Sequence, residues 1–269
     1  MSEIDAADNG GEKEKEPMPT MGFLDHLEEL RKRIIYSILS VAVGFFACWG
    51  YREQIYGIMQ KPIMNALKAN GMAEKLVYLN PTEPFNLYLK VSALAGLFLT
   101  SPFVLYQVWM FISPGLYRKE KRYVVPFMIS TIALFSAGGF FGYRFVYPYA
   151  LTFLIDFGKQ FQPMITIGEY TSLFLSIILG MGLIFEMPIL VFFLALMGIV
   201  SAGFMWKNFR YAILVIFIIA AIVTPTTDIL NMCIFAAPMI ALYALSIGVA
   251  WLVHPKQRKA RKEKEKQAQ

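Results

Sequence analysis

The chain has 269 residues, of which 57% are hydrophobic and only 16% charged, with a formal net charge of +6. That balance excludes an ordinary soluble domain, and the apolar residues come in blocks rather than with a helical or strand period. The positive charge is no nucleic-acid signature, because most basic residues stand at the ends of apolar blocks. Cys48 and Cys233 both fall inside such blocks and read as small buried hydrophobes, not as a disulfide or metal pair. The composition points to an integral membrane protein.

Taken in order, residues 1–20 are polar, bear Gly and Pro, and read as a disordered head without the layout of a cleaved signal peptide. In Phe23–Arg33 the residues Phe23, Leu24, Leu27 and Leu30 share one helical face, which predicts a helix along the membrane surface leading into a first span, Ile34–Tyr51. Glu53–Ala69 carries a weak amphipathic pattern, interrupted at Pro62 and stopped by Asn70-Gly71. Thr82 then caps a helix with Pro84 in its first turn; running to Ile112, it is ~45 Å long, more than a bilayer core needs.

The stretch Tyr106–Phe127 joins two long apolar runs by a short basic hairpin holding Arg118, Lys119, Lys121 and Arg122, with one acid, Glu120. A third span follows from about Tyr123 to Tyr147, ending before Pro148. The segment 157–168 reads as a loop. The fourth apolar region, Glu169–Ile199, contains Glu186 and Pro188, which predicts a kink and a pocket. Residues 201–210 form a loop, Tyr211–Val223 is only a short span, and Ile229–Val253 supplies the sixth run. The basic tail, 254–269, reads as solvated and disordered.

Placing the head, the 114–122 hairpin, the 200–210 loop and the tail on one side collects most of the 25 Lys and Arg there. The positive-inside rule then predicts an all-α polytopic membrane protein of six transmembrane helices, both termini cytoplasmic, with a kinked fourth span and short fifth and sixth spans. The six-span domain covers residues 21–253.

Few side chains in these blocks can carry chemistry. Glu186 lies in a run otherwise uncharged from Tyr170 to Trp206, where a carboxylate is costly unless protonated, hydrated or paired. It reads either as a bond within the fold, or as a polar anchor for a partner helix or a hydrated cavity. Glu29 and Glu120 sit in basic sequence at the membrane boundary, where an ionised carboxylate can accept a bidentate arginine. The alternative for these two is a local salt bridge, to Arg31 or Lys119. Asp228 reads most simply as a helix cap. No catalytic constellation, metal spacing or phosphate-binding glycine loop occurs, and no enzyme or cofactor is expected. A proton- or ion-coupled transporter using Glu186 is the alternative function, although the two halves show no internal repeat.

Over roughly residues 20–253 the chain resembles the TatC family, the core subunits of the twin-arginine protein translocase. The resemblance rests on HLEELRKR at 26–33, LYQVWMFISPGLYRKEKR at 105–122 and IFEMP at 184–188, supported by TEPF at 82–85, YP at 147–148 and TP at 224–225. It implies a receptor that moves folded proteins across the cytoplasmic membrane on the protonmotive force. It also implies single-span partners of the TatA and TatB type, and a homo-oligomer within the complex. By the same resemblance Glu29 and Glu120 match acids implicated in binding the paired arginines of signal peptides. Phe111 matches an aromatic of that surface, with Arg31 beside it. Pro62 matches an essential proline of the first outer loop, Asp228 an acid of the last outer turn, and Glu186 a membrane-embedded glutamate linked to partner contact.

Overall fold

Helix α1 (Phe23–Trp49) is one unbroken rod, ~40 Å long at 1.5 Å per residue. The surface helix expected over 23–33 is therefore not separate from the first span. Leu30-Arg31-Lys32-Arg33 are good helix formers, and no Gly or Pro interrupts the path into Ile34. The computed structural model describes residues 23–72, 75–112, 124–161, 164–196, 199–223 and 229–267; the polar head lies outside them. Among the described residues the chain is helical, apart from one isolated bridge between Val77 and Thr166.

Prolines shape the next four helices. In α2 (Arg52–Ala69) Pro62 stands inside a continuous helix and does not interrupt it. The helix ends as predicted: Gly71 takes φ 67°, Met72 N–H donates to Leu67 O and Gly71 N–H to Lys68 O, closing the last turn. Helix α3 (Glu83–Ile112) follows Thr82 and accommodates Pro102, whose missing N–H frees the Phe98 carbonyl. The Ser101 hydroxyl donates to that carbonyl at 2.8 Å.

Pro148 does not end the third span. Helix α4 (Val124–Phe141) passes through a π-turn, Gly142–Val146, in which Tyr147 N–H reaches back to Gly142 O, and continues as α5 (Tyr147–Phe157). The widened turn accommodates the proline without a break. Helix α6 (Ile167–Ile184) starts on the Thr166 hydroxyl and stops two residues before α7 (Met187–Leu196), so the predicted kink is a true break at Phe185-Glu186. The expected loop 201–210 contains a short helix, α8 (Ala202–Lys207), capped by Ser201.

Helix α9 (Phe209–Val223) is the short apolar run, and α10 (Ile229–Gln267) is 39 residues long. The sixth expected span is thus no short helix, and helix extends through the tail expected to be disordered. Lys, Arg, Glu, Gln and Ala after residue 255 are strong helix formers, so nothing after Pro255 stops it. Among the described residues five helical segments are long and apolar enough to cross a membrane, and α9 is apolar but shorter. Of the cysteines, Cys48 is buried, whereas Cys233 lies exposed on the apolar part of α10.

The helices pack as antiparallel neighbours through glycines. Gly44 of α1 and Gly96 of α3 cross backbone to backbone. Gly138 lets α4 approach Met181 O and Phe185 at the end of α6, and Gly142 rests on Met181 and Ile177. Small residues do this work in lipid, where burial against hydrocarbon drives little and close dispersion contact decides.

The end capped by α2 is tied to the bundle by two tyrosines. Pro62 has no N–H for the Ile58 carbonyl four residues back, and Tyr143 donates its hydroxyl there at 2.8 Å. The buried Tyr170 donates to Met59 O at 2.6 Å. Tyr143→Phe is expected to cost about 0.5–1.5 kcal/mol, the net worth of one hydrogen bond, because the bond is exposed and water can take Ile58 O. In a Pro62→Ala background, where the alanine N–H takes that carbonyl, the same change costs less by at least about 0.5 kcal/mol. Denaturant unfolding of the four variants in detergent measures the coupling, and strict additivity would refute the link.

Candidate functional site

At the opposite end, where α1 begins, α1 and α3 build a polar cluster from residues far apart in sequence. Glu29 and Arg33 stand four residues apart on one face of α1, and Arg33 Nη2 meets Glu29 Oε1 at 3.1 Å. The other amino group, Nη1, donates to Gln107 Oε1 on α3 at 3.0 Å. Gln107 is 4% exposed, so the pair is held from below by a buried amide. One turn nearer the helix tips, His26 of α1 and Phe111 of α3 stack with centroids 4.4 Å apart and planes 19° from parallel.

Helix α3 is itself anchored on its other face. Trp109, on α3 between Gln107 and Phe111, donates its indole N–H to Thr131 of α4 at 3.1 Å, both residues being buried. Its ring stacks on Phe127 at 5.5 Å and meets Phe193 of α7 edge-on. Helices α3, α4 and α7 are thereby locked together on the face of α3 turned away from α1.

Among the described residues two hydrogen-bonding atoms of the cluster have no partner: Glu29 Oε2 and Arg33 Nε, both shielded from solvent. A carboxylate with one oxygen bonded and one spare can accept a second guanidinium. The arrangement is thus a partly exposed ion pair with unused hydrogen-bonding capacity, one turn from a stacked aromatic pair.

The other sequence-based candidates are scattered. Phe111 joins the cluster, whereas Arg31 is exposed on α1 and takes no part in the Arg33 network. The local bridge weighed for Glu29 exists, but its partner is Arg33. Glu120 and Asp228 lie outside the described residues. Pro62 belongs to the far end, on α2. Glu186 occupies the α6–α7 break, 9% exposed, with Oε1 unpartnered. Its carbonyl accepts from the Ile189 and Leu190 N–H groups, opening the turn that Pro188 cannot close. Arg33, Gln107, His26 and Trp109 were not singled out as site residues from sequence; the i,i+4 spacing of Glu29 and Arg33 was the available signal.

Known proteins match the chain along most of its length. A family model described as Sec-independent protein translocase protein (TatC) matches residues 25–238. A Sec-independent protein translocase protein TatC from Koribacter versatilis is 69% identical over 249 residues, covering 93% of this chain and 92% of that protein. One from Desulforapulum autotrophicum is 40% identical over 237 residues, with 88% and 84% covered. A crystal structure of the twin arginine translocase receptor TatC superposes with a TM-score of 0.77 at 33% identity, covering 85% of this chain and 99% of that one.

Proposed function

Because this chain belongs to the TatC family of Sec-independent protein translocase proteins and is a twin-arginine translocase subunit, we propose that its Glu29 cluster reads the paired arginines of a signal peptide. The observation that carries the proposal is the spare carboxylate oxygen of Glu29, beside a guanidinium already bound to its other oxygen. Adjacent arginines on a peptide present the planar forks that such a carboxylate accepts. Phe111 and His26 supply a stacking surface at the entrance. Glu120 is the second acid of the same reader.

This reading sets the rest of the molecule around it. The chain crosses the membrane six times, α9 being the short crossing, and both termini are cytoplasmic, so the Glu29 cluster opens to the side where cargo is made. The supports are the clustering of Lys and Arg on that side and the even number of apolar helices. Glu186, with a shielded and unpartnered oxygen, is the polar anchor for a single-span partner helix of the TatA or TatB type. Several copies assemble with those partners and move folded cargo on the protonmotive force; the chain is a receptor and not an enzyme.

A photo-crosslinking residue at position 111 is expected to capture a twin-arginine peptide. Capture should fall at least about tenfold when both arginines become lysines, because a lysine offers a point charge in place of a fork. Equal capture of the two peptides would overturn the assignment.

A further inference from the structure

We propose that the groove between α2 and the π-turn binds one anionic glycerophospholipid. Its phosphate sits between Lys61 and Arg144, and an acyl chain lies in the apolar trough leading to α10. The site has two compartments. The more polar one, of about 460 Å³, is lined by Lys61 and Asn65 of α2 and by Tyr143, Arg144 and Thr152, together with prolines and alanines. An apolar one of about 640 Å³ runs past Phe141, Phe145, Tyr149 and Phe153 to Ile234 and Pro238 of α10. Arg144, Pro148 and Thr152 line both, so the compartments meet at the arginine. A chamber bearing two cations and opening into a more apolar trough has the layout of a lipid, with headgroup and tail.

Charge selects the headgroup. Lys61 and Arg144 are exposed, and neither is engaged by a carboxylate among the described residues. The one acid lining the trough, Asp156, is already held by Lys159 at 3.0 Å. Two such cations facing one chamber favour a phosphate of net negative charge. The Asn65 amide and the Thr152 hydroxyl oxygen, whose proton goes to Pro148 O, can meet glycerol hydroxyls.

Depth agrees with charge. Arg144 stands twenty residues after Val124, ~30 Å of helix rise and one hydrocarbon thickness. It therefore lies at headgroup level, with the exposed Tyr149 marking the same boundary, whereas Tyr147 is buried in the bundle. The α2 latch forms one wall of the chamber, since Pro62 and Tyr143 both line it. A lipid seated there bridges α2, the third span and α10.

The test is competitive retention of phosphatidylglycerol against phosphatidylcholine by the full-length protein, read by native mass spectrometry. Phosphatidylglycerol should be preferred on the order of thirtyfold, the gain two cations give at a charged membrane surface. The double change Lys61→Gln with Arg144→Gln should reduce the preference to a few-fold. Lys68→Gln with Lys75→Gln removes the same charge near the same end, outside the groove, and should leave the preference intact. An unselective wild type overturns the proposal whether or not the variants fold. So does a control pair that loses the preference equally. Displacement of the lipid by glycerol phosphate alone would show a free-phosphate site instead.

Discussion

Glu29→Arg is expected to abolish export of a twin-arginine substrate, lowering it by about a hundredfold or more, the equivalent of roughly 3 kcal/mol of binding. The change does two things. It removes the acceptor for the incoming guanidinium, and it sets a second cation against Arg33, which now lies 3.1 Å from the Glu29 carboxylate. Both side chains keep about a fifth of their surface exposed, so the local cost stays near 2–3 kcal/mol, below that of a fully buried broken pair. Loss of export could then reflect loss of fold. The exchange Glu29→Arg with Arg33→Glu separates the two, because it rebuilds an i,i+4 pair and leaves Gln107 a carboxylate to donate to. It moves the acid one turn, ~6 Å, deeper along α1. The exchanged protein should recover its thermal stability while export and peptide crosslinking stay lost. Recovery of both would mean that the cluster is structural and the arginines are read elsewhere.

Gly96→Leu should be the most damaging single change in the bundle. A Cβ at Gly96 falls 2.6 Å from Phe45 N and 2.7 Å from the Gly44 carbonyl carbon. These are backbone atoms and cannot rotate away, so α1 and α3 must separate. Overpacking of a core costs about 1–3 kcal/mol, and contact against backbone places this site at the upper end or beyond. The penalty reaches the functional end, because the same helix pair carries Arg33 on Gln107 and His26 on Phe111. The expected result is a lowered melting temperature in detergent and lost crosslinking from position 111. Gly57→Ala is the control: nothing lies within 4 Å of its added Cβ, and alanine there should stabilise α2 by up to about 1 kcal/mol. Equal melting temperatures for Gly96→Leu and wild type would refute the close crossing.

Much of the fold was legible because the signals are local. A block of apolar residues long enough for a bilayer, a helix stop at Asn70-Gly71 or a helix start at Thr82 before Pro84 reads the same way in any surroundings. The Glu186–Pro188 break was visible for the same reason, since a missing N–H has a known effect four residues back. Within the candidate site, Glu29 and Phe111 stood out by motif. The choice of Arg33 over Arg31 as partner of Glu29 follows from helical spacing, and was there to be read.

The sequence alone thus determined the class of the protein, its apolar helices and its family. Only the tertiary structure decided which prolines break helices. Pro62 and Pro148 do not, because a tyrosine hydroxyl 85 residues away takes one freed carbonyl and a π-turn absorbs the other ring. It alone placed Gln107 under Arg33, 74 residues apart, and left Glu29 with one oxygen spare. Local rules count the hydrogen bonds a segment lacks; only packed helices settle which distant groups supply them.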